Sequence, residues 1–184
     1  MRPSLALLWL QATRPKTWPA SLAPVLCASL LIWKKGSLNL PLFWITLLTA
    51  LGIQICTNLA NDYFDFIQGA DTPLRKGPPR LTQSGLVPLS SIQKAIVLAF
   101  ITTAFLSCLL IFKGGLWIAL LSSLSLILAL SYTVGPFPLS YLGLGDLFVL
   151  IFFGPVASCG TYFLQTNTIS RSEEHTSELQ SRLQ

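Results

Sequence analysis

Acidic residues are nearly absent from most of this 184-residue chain, and histidine occurs once, at position 175. A single histidine removes most histidine-dependent catalysis and every multi-histidine metal site. The four cysteines, Cys27, Cys56, Cys108 and Cys159, stand alone inside apolar runs. They have neither zinc-ligand spacing nor a disulfide framework, and read as small buried hydrophobes. Regular alternation of polar and apolar residues is missing too, which excludes a transmembrane β-barrel. No nucleic-acid-binding motif is present. The short apolar stretch Leu5 to Leu10 after Arg2 is followed by Gln11 to Lys16, which is no signal-peptide cleavage site.

The chain is instead rich in apolar residues, 52% hydrophobic with a mean hydropathy of +0.64. That composition belongs to an integral membrane protein. Five segments approach the ~20 residues needed to cross a bilayer as helix. They run from Trp18 to Trp33, Leu40 to about Asp65, Ile92 to Phe112, Leu116 to Val134, and about Leu147 to Leu164. Pro19 and Pro24 in the first segment predict a kink or an oblique path through the interface. The fold class is all-α, a polytopic transmembrane helical bundle. Arg2, Arg14, Lys16, Arg75, Lys76, Arg80 and Lys94 lie on one side of it, against Lys34, Lys35 and Lys113 on the other. This asymmetry places the N-terminus and the loop between the second and third segments in the cytoplasm.

Two regions depart from the apolar pattern. The stretch from Arg171 to Gln184 is polar and charged, and reads as the in-frame translation of a sequencing-adapter oligonucleotide. The expected division is therefore a membrane domain over 1–170 and a foreign, disordered 171–184. On that view the reading frame is cut short near Ser170. The second region is acidic. Of the four acids in the first 170 residues, Asp62, Asp65 and Asp71 fall within ten positions, and Asp146 is the fourth. A carboxylate costs about 2.5–3.5 kcal/mol near the centre of a transmembrane helix, so a cluster needs a cationic partner.

Helical spacing puts Asn58, Asp62 and Asp65 on one face, with Asn61 four residues before Asp65. Gly69 suits a helix terminus, after which Asp71 can approach from the loop. Hard oxygen ligands of this kind suit Mg²⁺, which commonly takes one or two carboxylates together with phosphate oxygens and water. The loop from Gln68 to Ser91 is long and rich in glycine and proline, and it carries Arg75, Lys76 and Arg80 directly after the acids. Arginine pairs bidentately with phosphate. Acids for a metal beside bases for a phosphate, at a membrane surface, describe a site for a lipid diphosphate. A proton or cation pathway is the competing reading, but it would spread acids through the depth of several helices.

The chain resembles the intramembrane aromatic prenyltransferases of the UbiA superfamily. Their first aspartate-rich motif, Asn-Asp-x-x-Asp with a further Asp downstream, matches Asn61, Asp62, Asp65 and Asp71. Further matching stretches are Arg14-Pro15-Lys16-Thr17-Trp18-Pro19-Ala20, Asn58-Leu59-Ala60, Gly77-Pro78-Pro79-Arg80, and Tyr141-Leu142-Gly143-Leu144-Gly145-Asp146 leading to Phe153-Gly154-Pro155-Val156. They are most similar to the branch that acts on 1,4-dihydroxy-2-naphthoate.

The resemblance implies about nine helices around a membrane-open cavity, and this chain carries about five of them. It also implies a second aspartate-rich motif, which does not occur in these 184 residues. A chain limited to the first motif is expected to be inactive alone. The implied reaction moves a polyprenyl group from a polyprenyl diphosphate to the naphthoate, with loss of CO₂ and diphosphate, giving demethylmenaquinone. The runner-up acceptors are 4-hydroxybenzoate and homogentisate. Asp62, Asp65 and Asp71 are the implied Mg²⁺ ligands and catalytic acids. Asn58, Asn61, Arg75, Lys76, Arg80, Arg14 and Asp146 are the candidate substrate contacts. Lys16 reads as a headgroup anchor and Tyr132 as an interfacial tyrosine. The implied location is the inner membrane of a bacterium.

Overall fold

The computed structural model describes residues 4–69, 81, 82, 85, 87–131 and 145–167. Asp71, Arg75, Lys76, Arg80, Tyr132 and the segment 171–184 lie outside the described residues.

A short helix, α1 (Leu5–Ala12), opens the chain, where the amino-acid pattern had suggested only an apolar stretch. Ser4 caps it, its hydroxyl accepting the Leu7 N–H at 3.3 Å. One face of α1 is buried through Leu8 and Ala12, while Leu5, Leu7 and Leu10 stay exposed. A 3₁₀ turn (Pro15–Thr17) leads into α2 (Trp18–Lys34), which runs through Pro24 as one helix. Its 17 residues span about 26 Å, just under the ~30 Å hydrocarbon core. Helix α3 (Leu40–Ile67) is N-capped by Asn39, whose side chain accepts Leu42 N–H at 3.0 Å. It ends as expected at Gly69, which takes a left-handed φ of 67°.

The next run, α4 (Leu89–Ser131), joins the third and fourth apolar segments. Gly115 divides it, with φ 64° and ψ −151°, a backbone region open essentially to glycine alone. The chain folds back at that point. Tyr63 pairs with Gln93, and Cys56 Sγ lies 3.6 Å from Thr103 Oγ1, so the first limb of α4 runs antiparallel to α3. Straight continuation would carry Ala129 about 39 Å beyond Thr103. Ala129 nevertheless lines the same cavity as Thr57, the neighbour of Cys56. Two limbs therefore stand where an unbroken helix would protrude far outside a bilayer.

The last described segment combines α5 (Gly145–Ile151), a π-helical turn (Phe152–Val156) and α6 (Ala157–Thr166). Pro155 has no N–H to offer, and its ring crowds the carbonyl four residues back. The wider π turn accommodates both effects. Three stretches are long and apolar enough to cross a membrane as they stand: Leu40–Ile67, Leu89–Ser131 and Leu147–Thr166. With α2, and with α4 counted as two limbs, they account for the five predicted segments. The described residues contain helices and turns only, in keeping with an all-α integral membrane protein.

Packing is tied at both ends of the bundle. At the α3 C-terminal end, Leu8 and Ala12 of α1 meet Leu59, Leu81, Val87 and Ile92. At the other end Leu42, Leu110, Ile118 and Leu164 form a second cluster. There Gln165 grips the start of α3: its Oε1 accepts Asn39 N–H at 2.9 Å, and its Nε2 donates to Asn39 O at 3.1 Å.

Candidate active site at the C-terminal end of α3

Gln54, Asn58, Asn61, Asp62 and Asp65 occupy an arc of about 100° on α3. This face would be costly in lipid, and the fold covers most of it. Asn58, Asn61 and Asp62 are buried, Asp62 to 3% exposure, and Asp65 is half-buried. The cover comes from two directions. Leu81 donates its backbone N–H to Asp62 Oδ2 at 3.1 Å, and Thr82 Oγ1 donates to the Asp62 carbonyl at 3.3 Å. These bonds return the chain to Asp62 immediately after the basic loop. Leu81 and Val87 then pack against α1 and Ile92.

The second cover is the turn between α1 and α2. Asn58 Nδ2 donates to Thr13 O at 2.9 Å and to Thr17 Oγ1 at 3.1 Å. Gln54 Nε2 donates to the same Thr17 Oγ1 at 3.1 Å, and is 3.4 Å from Asn58 Oδ1. Trp18 Nε1 also donates to Thr13 O, at 3.1 Å. Between Thr13 and Thr17 sits Arg14, half-buried, with its backbone in the left-handed region at φ 51° and ψ 68°. Four of the sequence-predicted residues, Asn58, Asn61, Asp62 and Asp65, are thus on one face, with the backbone of Arg14 held against it. Asp146 falls in the first turn of α5, and its side chain lies outside the described residues.

Gln54, Thr13 and Thr17 were not among the sequence candidates. The available signal was the i, i+4 step from Gln54 to Asn58 within an otherwise apolar run. Thr13 gave no comparable signal, and Thr17 stood out only as part of the matched stretch 14–20, because only the fold brings them onto α3.

Roughly 110° round α3 from the polar face, Thr46, Thr49, Ala50, Ile53 and Thr57 line an apolar cavity of about 150 Å³. Its other walls come mainly from the second limb of α4 and from Phe148 to Leu164, with Val25 of α2 and Leu110 of the first limb of α4. Thr46, Thr49, Thr57, Ser125 and Thr161 face it, yet each hydroxyl donates to a carbonyl four residues earlier on its own helix, at 2.7–2.9 Å. Spending those protons leaves the wall apolar in character.

The donor chemistry near Asp62 fits a hard cation. Two carboxylates three residues apart match the one or two that Mg²⁺ commonly takes. Among the described residues no group of three His, Cys, Asp or Glu is placed to hold a metal. The third acid of the motif, Asp71, lies outside them.

A buried acidic helix end, on a helix that also walls an apolar cavity in a membrane bundle, agrees with sequence comparison. The chain belongs to the UbiA prenyltransferase family, whose pattern matches residues 21–177. It is 36% identical over 170 residues to the 1,4-dihydroxy-2-naphthoate octaprenyltransferase of Escherichia coli, covering 88% of this chain and 54% of that protein. The protein of the same name from Bacillus subtilis is 34% identical over 165 residues, covering 89% and 52%. The 2-carboxy-1,4-naphthoquinone phytyltransferase of Synechocystis is 32% identical over 173 residues, covering 91% and 54%. The chain spans about half the length of the curated relatives it matches.

Proposed function

We propose that the protein to which this chain belongs transfers a polyprenyl group from its diphosphate to 1,4-dihydroxy-2-naphthoate. The observation that carries the reading is the polar, largely buried face Asn58–Asp65 at the end of α3, on a helix whose other side lines an apolar cavity. The names of the relatives support the naphthoate as acceptor over 4-hydroxybenzoate or homogentisate.

Asp62 and Asp65, completed by Asp71, would hold Mg²⁺, which supplies positive charge against the leaving diphosphate. Arg75, Lys76 and Arg80, in the loop that Asp62 tethers through Leu81, bind diphosphate or acceptor carboxylate. Arg14, Asn61 and Asp146 complete the substrate contacts. The allylic C–O bond breaks with its electron pair leaving on the diphosphate. An electron-rich ring carbon supplies the pair for the new C–C bond, and the ring carboxylate departs as CO₂. The product is demethylmenaquinone at the quinol level. The apolar cavity houses part of the isoprenoid and keeps water from the allylic cation.

The excess of positive charge around the N-terminus and the loop after α3 supports an inner-membrane protein with this site facing the cytoplasm. Residues 171–184 are read as foreign sequence, although the family match runs on to 177. Resequencing the source gene through that region decides the point.

The functional test is complementation of a bacterium lacking its naphthoate prenyltransferase, with quinones measured by chromatography. The full-length protein is expected to restore menaquinone, and the 184-residue chain alone is not. Restoration of ubiquinone only, in a strain lacking the hydroxybenzoate enzyme, would transfer the assignment to the other acceptor.

A further inference from the structure

Arg14 adopts a left-handed backbone that non-glycine residues rarely take, and Asn167 is the only other described non-glycine residue to do so. Such a conformation persists only where its surroundings hold it. Here the hold is specific. The Arg14 carbonyl accepts both the Thr17 N–H, at 2.8 Å, and the Thr17 hydroxyl, at 2.9 Å. Thr17 Oγ1 in turn accepts from Gln54 and Asn58, and Asn58 also secures Thr13. Residues on both sides of Arg14 are thereby fixed to α3, roughly one to two turns before Asp62.

Gln54 is the informative member. It is 7% exposed, and its amide nitrogen is committed to Thr17. Its Oε1 is buried without a hydrogen-bond partner. A leucine of similar volume would avoid that uncompensated acceptor, so stability alone does not account for glutamine here. Its asset is the donor it offers to the Arg14 turn.

We infer that Gln54 and Thr17 are positioning residues that hold Arg14 for an oxyanion of the substrate, either the acceptor carboxylate or the donor diphosphate. The inference rests on the prenyl-transfer reading above. Gln54 and Thr17 act through Arg14 and do not touch the reacting atoms.

The test uses the full-length protein in membranes, with octaprenyl diphosphate and 1,4-dihydroxy-2-naphthoate varied separately. Gln54→Leu and Thr17→Val each raise KM for one substrate by about tenfold or more, with kcat within about threefold of the parent. A rise for the naphthoate assigns Arg14 to the carboxylate, and a rise for the diphosphate assigns it to the donor. Thr17→Ser restores the parent value, and Gln54→Leu leaves thermal stability unchanged or higher. In the Arg14→Ala background Gln54→Leu adds no further loss. Multiplying penalties, or KM values that do not move, overturn the inference.

Amide exchange over Thr13–Trp18 supplies a readout independent of turnover. Gln54→Leu accelerates it about tenfold if the network holds the turn. Unchanged exchange overturns the inference whether or not the enzyme turns over. Absence of prenyl transfer by the parent protein, with accelerated exchange in the variant, instead removes the functional reading and leaves the network standing.

Discussion

Gly52 of α3 packs directly against Thr103 in the first limb of α4, and Gly52→Ala tests how rigidly that contact sets the site. A β-carbon there would meet Thr103, with Cγ2 at 3.2 Å, Cβ at 3.3 Å and Oγ1 nearer still. Thr103 has little room to yield. It is 1% exposed, and its hydroxyl donates to Ala99 O at 2.7 Å. About 1 Å of helix separation is needed to relieve the contact. Overpacking of this kind costs about 1–3 kcal/mol, and the gain from replacing glycine inside a helix returns at most ~1 kcal/mol. Net destabilisation of about 1–2 kcal/mol is expected, read by reversible unfolding of the full-length protein in detergent. Asp62 is ten residues further along α3, about 15 Å away. A 1 Å displacement transmitted that far is enough to lower prenyl transfer by up to ~100-fold. Thr103→Ala removes Oγ1 and Cγ2, so the double variant should recover most of both losses. A Gly52→Ala protein as stable as the parent, or a strictly additive double-mutant cycle, refutes the reasoning.

Gly115→Ala is expected to cost about 1–3 kcal/mol through backbone strain alone, since nothing lies within 4 Å of the added carbon, and no neighbouring side-chain truncation should rescue it. Asp62→Asn keeps an oxygen for Leu81 N–H but loses the charge, so prenyl transfer should fall at least ~100-fold with stability little changed. Asp62→Ala should fail equally in the same transfer assay and lose a further ~1–3 kcal/mol in unfolding experiments, because the buried Leu81 N–H loses the Asp62 carboxylate as acceptor. Asn39→Ala removes the α3 cap and should cost about 1 kcal/mol by the same unfolding measurement. Chelation of divalent metal should abolish prenyl transfer and added Mg²⁺ restore it, and activity that survives chelation would refute the metal assignment.

The amino-acid sequence by itself determined the class of fold. Lipid rewards uninterrupted apolar helices and penalises every carboxylate, so spans and an acidic helix end appear as plain contrasts in composition. The α-helical period then put Asn58, Asn61, Asp62 and Asp65 on one face, because that relation is local to a single helix. The matched stretches also pointed to the family from residues alone.

Tertiary structure decided the relations between distant segments. The fold back at Gly115 depends on a dihedral angle that a Gly114–Gly115 pair permits but does not demand. The π turn at Phe152–Val156 similarly follows from Pro155 within a packed helix. Most of all, the fold brought Thr13 and Thr17 onto Gln54 and Asn58, across sequence separations of 37 to 45 residues. Hydrogen bonds of that kind leave no periodic trace in a chain, because they arise only after α2 and α3 have packed side by side. The acids were legible because lipid makes them conspicuous, and the support of the Arg14 turn was not, because a threonine reads alike whether it anchors a site or only fills space.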